Sequence, residues 1–220
     1  QLTREGIAVN VGHADVERAS QADLVVMTAA VKPGNREVDA ASVAGVPVIK
    51  RAELLGLLAN ARRCVAVAGS HGKSTTSGML VSALLALGAA PSYAVGAVVA
   101  ATGVNAAPGS GLDMVVEADE YDHSFLRLSP DVAIVTNIEY DHPDIFADQA
   151  SYDDAFAQFA AKLRTNGRLI AAADDPGVRR LAEGGAFPGG SVIAFGESDG
   201  VDWQLRFADG VTTVLTPHGE

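Results

Sequence analysis

Between Val65 and Thr76 the sequence reads Val-Ala-Val-Ala-Gly-Ser-His-Gly-Lys-Ser-Thr-Thr. A short apolar run breaks into two glycines, a lysine and hydroxyl side chains, and a helical pattern follows. A turn of this kind can bind phosphate. Backbone N–H groups of the loop and of the helix N-terminus face the anion, Lys73 adds a point charge for the outer phosphates, and the Ser74 hydroxyl can ligate Mg²⁺. The candidate nucleotide-binding residues are Gly69, Ser70, His71, Gly72, Lys73, Ser74 and Thr75. The loop is shorter than the common G-x-x-x-x-G-K-[ST] form, because Val67 holds the position of the first glycine.

Two further polar clusters follow apolar runs. Glu117-Ala118-Asp119-Glu120-Tyr121-Asp122 comes directly after Val115-Val116, and Asn137-Ile138-Glu139-Tyr140-Asp141-His142 comes soon after Ile134-Val135. In open α/β sheets ligands bind beyond the C-terminal ends of strands. A nucleotide triphosphate needs a hard cation on its outer phosphates, and Mg²⁺ takes one or two carboxylates plus substrate oxygens. Glu117, the first polar residue off its strand, is the natural carboxylate. Taken singly, each cluster has a plainer reading: a solvated acidic loop, a surface histidine at 142, turns around Asn105. Together, beside a phosphate loop, they read as one site, whose strands must then lie close together in the sheet. His13, His123 and His218 lack such a setting and are read as structural.

These motifs need a scaffold, and the composition supplies one. The 220 residues are 48% hydrophobic and 20% charged, as in a globular protein with a sizeable core. A formal charge of −11 argues against a nucleic-acid surface. The single cysteine, Cys64, opens an apolar strand and reads as a small buried hydrophobe, which suits a reducing compartment. No apolar run approaches a membrane span and no signal peptide is visible, so a cytoplasmic protein is expected. Both ends of the chain read as cut.

Short strands and helices alternate along the chain, which predicts an α/β fold with a mostly parallel sheet. Strands are expected at 7–9, 23–27, 46–49, 64–68, 92–95, 113–117, 131–136, 168–172 and 191–195. Helices are expected at 37–43, 51–62, 74–87, 151–163 and 178–183. A Gly/Ala-rich loop is expected over 96–111, and a hairpin over 203–215 turning at Ala208-Asp209-Gly210. The Leu/Ala-rich helix after Arg51 reads as a connector between domains.

The three motifs together resemble those of the Mur ligases, ATP-dependent amide-forming enzymes of peptidoglycan assembly. The resemblance rests on Gly69-Ser70-His71-Gly72-Lys73-Ser74-Thr75, on Glu117-Ala118-Asp119-Glu120 with Ser124-Phe125, and on Thr136-Asn137-Ile138 with Asp141-His142. The interval from Glu117 to His142 is similar to the family's spacing. Upstream, Gly12-His13, Ala22 to Val26, Lys32 with Asn35, and Pro47-Val48 through Leu54 resemble the family's first domain.

The resemblance implies ATP and Mg²⁺ as cofactors, with Lys73 on the phosphates and Ser74, Glu117 and His142 around the metal. Lys73, Glu117 and His142 become the expected catalytic set. It also implies that 1–60 are the end of a Rossmann-like domain for the UDP substrate plus a connector. Residues 61–220 would then be most of the central ATP-binding domain, with a third domain lying outside the chain. His71, and Ala157 where other members carry a carbamylated lysine, resemble the alanine-adding branch, whose substrates are UDP-N-acetylmuramate and L-alanine. The branch that recycles murein tripeptide is the alternative, since Glu120-Tyr121-Asp122 and Asp144-Ile145-Phe146 resemble it too. A P-loop kinase or NTPase without ligase activity is the reading from another class, and the excised chain alone is expected to be inactive.

Overall fold

The computed structural model describes residues 2–185, 187, 190–209 and 211–217. His218 and Gly210 therefore lie outside the described residues. The chain divides into two compact units, Gln1–Leu55 and Gly56–Glu220. In the first, β1 (Val25–Met27) and β2 (Val48–Lys50) pair in parallel, with Val25 opposite Val48. Two helices accompany them, α1 (Val16–Ser20) and α2 (Arg36–Val43). α2 starts where it does because the Asn35 carboxamide oxygen accepts the N–H groups of Glu37 and Val38, at 3.1 and 3.2 Å. The expected strand at Ile7-Ala8-Val9 is not formed. Its residues are strand-like in type, but no neighbouring ladder pairs them, and strands require one.

α3 (Arg51–Asn60) runs from the first unit into the second, the division falling after Leu55. There β3 (Arg63–Ala68) leads into α4 (Lys73–Ala86), followed by β4 (Ser92–Val99), β5 (Val104–Ala107) and β6 (Asp113–Glu117). Then come β7 (Val132–Val135), α5 (Gln149–Ala160), β8 (Arg168–Ala172), α6 (Pro176–Glu183), β9 (Ser191–Gly196), β10 (Trp203–Ala208) and β11 (Val211–Leu215). They form one sheet in the order β11-β10-β9-β8-β7-β3-β6-β4-β5. Every described neighbour pair is parallel except β10 with β11 and β4 with β5. The expected loop at 96–111 is a correction: it holds the end of β4 and all of β5, an antiparallel edge with an irregular register between Ala94 and Val99. Small residues hide strand pairing, because they carry little of the β-branched signal on which strands are read.

Cys64, Ala66, Val67 and Ala68 of β3 are completely buried, as expected for a strand covered on both faces. Burial raises the Cys64 thiol to about 12, so it is an inert core group. β3 has β6 on one side and β7 on the other. After β3 the chain moves outward to β4, returns to β6, then crosses to β7. The ends of β6, β3 and β7 thus flank the point where the winding reverses. Their opposite ends are tied down: Arg63 of β3 pairs with Asp113 of β6, and Asp131 before β7 accepts the Cys64 N–H at 2.8 Å and Arg164 at 3.1 Å.

A candidate phosphate-binding site at three adjacent strand ends

The loop Gly69–Gly72 leaves the end of β3 and is strapped to the segment after β7. The Asn137 carboxamide accepts the His71 N–H at 2.7 Å and donates to the His71 carbonyl at 3.1 Å; the Thr136 hydroxyl donates to that carbonyl at 2.7 Å. The Ser70 N–H donates to the Asn137 carbonyl at 3.1 Å, and the Ser70 hydroxyl donates to the Glu139 carbonyl at 2.7 Å. Gly69 is required where it stands. Its φ is +141°, and a Cβ there would sit 2.1 Å from the Thr136 hydroxyl oxygen. α4 then begins at Lys73, and the free N–H groups of its first turn open at the end of β3.

Two carboxylates reach this loop, from the end of β6 and just beyond it. Glu117 accepts the Ser74 hydroxyl at 3.0 and 2.9 Å on its two oxygens and the Gly96 N–H at 2.7 Å. A Cβ at Gly96 would meet a Glu117 oxygen at 2.9 Å, so that glycine makes room for the carboxylate. Glu120 is wholly buried and takes the Lys73 ammonium at 2.8 and 3.0 Å. Lys73, itself only 14% exposed, also donates to the Gly69 carbonyl at 2.7 Å.

His142 stands on the same side of the cluster. Its Nε2 lies 3.5 Å from a Glu120 oxygen and 3.8 Å from Asp141, and the Tyr121 ring meets it edge-on at 5.3 Å between centroids. Lys73 and His142 therefore face one carboxylate, while Ser74 and Glu117 form a separate pair. Of the remaining candidates, His71 is exposed and 3.8 Å from Glu139, and Ser70 is buried.

Sequence reasoning quoted Glu120 and Asn137 within the motifs but assigned neither a role, and it assigned none to Tyr152. A signal for Glu120 existed. A lysine that a loop draws inward requires an acid beside it, and the next strand end was acidic. Tyr152 had none, because only folding brings α5 under the loop, where its hydroxyl lies 2.9 Å from the Ser70 hydroxyl and 3.4 Å from Glu120.

Ser74 and Glu117 suit a hard cation: one hydroxyl and one carboxylate leave most positions to phosphate oxygens and water, as Mg²⁺ prefers. Among the described residues no group of three or more His, Cys, Asp or Glu gathers into a protein-only metal cage. No helix among them is long and apolar enough to cross a membrane.

Residues 67–217 match the Mur ligase middle domain, and residues 1–63 match the catalytic domain of the Mur ligase family. The chain belongs to the Mur ligase family. A UDP-N-acetylmuramate–L-alanine ligase of Thermobifida fusca is 42% identical over 218 residues, 98% of this chain and 46% of that protein. Among solved structures, the UDP-N-acetylmuramate:L-alanyl-gamma-D-glutamyl-meso-diaminopimelate ligase of Neisseria meningitides superposes with a TM-score of 0.84 at 29% identity, covering 98% of this chain and 72% of that one. The UDP-N-acetylmuramate-alanine ligase of Thermotoga maritima gives a TM-score of 0.76 at 26% identity, covering 94% and 45%. The chain thus spans less than half the length of the curated relatives it matches. The mostly parallel α/β sheet with its loop after β3 is the fold of this Mur ligase domain.

Proposed function

We propose that this chain is the nucleotide-binding part of an ATP-dependent ligase that joins L-alanine to UDP-N-acetylmuramate in peptidoglycan precursor synthesis. In this reading the γ-phosphoryl of ATP passes to the substrate carboxylate, and the alanine amine displaces phosphate from the resulting acyl phosphate. The observation that carries the reading is that Lys73, held by Glu120, and Ser74, held by Glu117, open α4 at the reversal of winding, in a chain 42% identical to a ligase of that name. Residues 1–60 would serve the UDP substrate and 61–220 the ATP, with the amino-acid site outside these residues. The ligase would work in the cytoplasm, where ATP is available and the lone Cys64 stays reduced.

Phosphoryl transfer asks a protein chiefly for positioning and for charges placed around the phosphates. Gly69 to Thr75 would surround them with N–H groups, and Lys73 would hold the β/γ oxygens. Ser74 and Glu117 would hold Mg²⁺, with His142 at a second metal position. Bound there, Mg²⁺ neutralises charge on the outer phosphates. The acidic surroundings of the loop would otherwise repel a triphosphate, so the local donors and the cation are indispensable to this reading.

The tripeptide-recycling activity is the second reading, favoured by the 0.84 TM-score of the Neisseria structure; the higher identity to alanine-adding relatives favours the first. Phosphate release decides between them in the full-length ligase that carries these residues. Release that requires both UDP-N-acetylmuramate and L-alanine supports the proposal. Release with the tripeptide in place of alanine supports the second reading. ATP hydrolysis indifferent to either acceptor would make the protein a P-loop NTPase.

A further inference from the structure

Every donor of the Lys73 ammonium is already spent. It donates to the Gly69 carbonyl at 2.7 Å and to the two Glu120 oxygens at 2.8 and 3.0 Å, with the Ser70 carbonyl at 3.4 Å. An ammonium carries three protons, so a phosphate oxygen gains one only if a present acceptor gives it up. Glu120 is fully buried and braced by Tyr152 at 3.4 Å, with His142 at 3.5 Å. The lysine stem is flexible and partly exposed, so it is the lysine that moves.

We propose that Glu120 is a positioning residue that holds Lys73 against the loop when no nucleotide is bound and competes with phosphate for it. The inference rests on the reading of the loop as a phosphate site. Glu120 neutralises an ammonium that burial would otherwise strand, and it keeps the lysine folded into the loop. A ligand must then carry enough negative charge to draw Lys73 off a carboxylate, which favours a triphosphate over a single phosphate. When Lys73 leaves, Glu120 keeps Tyr152 and His142 as neighbours.

The sign of the effect separates this role from ordinary structural support. The probe is sodium tripolyphosphate in the presence of a chelator, which takes metal binding at Ser74 and Glu117 out of the measurement. Titrated calorimetrically into Glu120→Gln, it is expected to bind about tenfold tighter than to the wild type, the scale of one hydrogen bond to a charged group. In a Lys73→Met background the same Glu120→Gln change is expected to give no gain. If Glu120→Gln fails to fold, Glu120→Asp, which draws the carboxylate back by one methylene, is expected to show a smaller gain of the same sign. Unchanged or weaker binding in the folded variant overturns the inference, and so does a gain that persists without Lys73. A wild-type chain that does not bind tripolyphosphate overturns both the inference and the phosphate-loop reading.

Discussion

Two strand ends of the large sheet carry neighbouring acids, and they use them in opposite ways. At the end of β6, Glu117 takes a side-chain hydroxyl from Ser74 and, just beyond it, Glu120 takes the Lys73 ammonium. Beyond β8, on the other side of β7 and β3, Asp174 and Asp175 are taken up chiefly by backbone. Asp174 accepts the N–H groups of Glu197 and Ser198 and the Ser198 hydroxyl, at 2.6, 3.1 and 2.6 Å. Asp175 accepts the Val178 N–H at 2.8 Å as the cap of α6, and the Ile138 N–H at 3.2 Å. A carboxylate satisfied by backbone is fixed in place and serves stability. One satisfied by side chains at the start of α4 can exchange its partners for a ligand. The kind of donor, and not the acid, separates a site from a cap.

The sharpest way to break this contrast is Lys73→Ala. It should abolish phosphate release in the full-length ligase and weaken ATP binding about 10- to 100-fold, since a charged hydrogen bond is lost. It should also cost about 3 kcal/mol of stability in urea unfolding, because the buried Glu120 carboxylate loses its ammonium partner. Retained turnover would remove the loop from the mechanism.

Next comes Glu117→Gln. Its carboxylate would act through the cation, so ATP affinity should fall in Mg²⁺ and hold or rise in chelator. Equal loss in both conditions, by titration, would place Glu117 with the structural acids of β8.

At the β8 end the effects are smaller and confined to stability. Asp175→Ala removes the α6 cap and should cost about 1 kcal/mol in urea unfolding while ATP affinity stays as it was. A loss of affinity there would erase the contrast between the two strand ends. The smallest effect is expected from Asp174→Asn. The Ser198 hydroxyl and the backbone N–H groups hold the Asp174 carboxyl below its ordinary value. Its contribution is therefore present above the ordinary aspartate range, near pH 4, and is lost as pH falls through the lowered value. Thermal midpoints measured below about pH 4 should fall more steeply in the wild type than in the variant, and parallel curves would show that Asp174 adds nothing.

Local chemistry made the loop, its strand and its helix legible. Gly69 and Gly72, Lys73 and the apolar β3 write their conformations into the chain, and α2, α5 and α6 begin at Asn35, Asp148 and Asp175, whose side chains cap them. Glu117 could be singled out because it ends an apolar run. β5 was hidden, because Val104-Asn105-Ala106-Ala107 has no strong period of its own and becomes a strand only against Tyr93, Ala94 and Val99 of β4. The strand-like 7–9 failed in the opposite way, having the residue types and no partner.

The sequence by itself determined which residues can face a phosphate, since loop conformation and helix starts depend on neighbours a few positions apart. Only the tertiary structure decided how the acids are shared: Ser74 on Glu117, Lys73 on Glu120, His142 beside Lys73's carboxylate and not with Glu117. Those pairings join residues more than twenty positions apart. They depend on β6, β3 and β7 lying side by side and on α5 carrying Tyr152 beneath the loop, and pairing and burial across such separations leave no local mark in the chain.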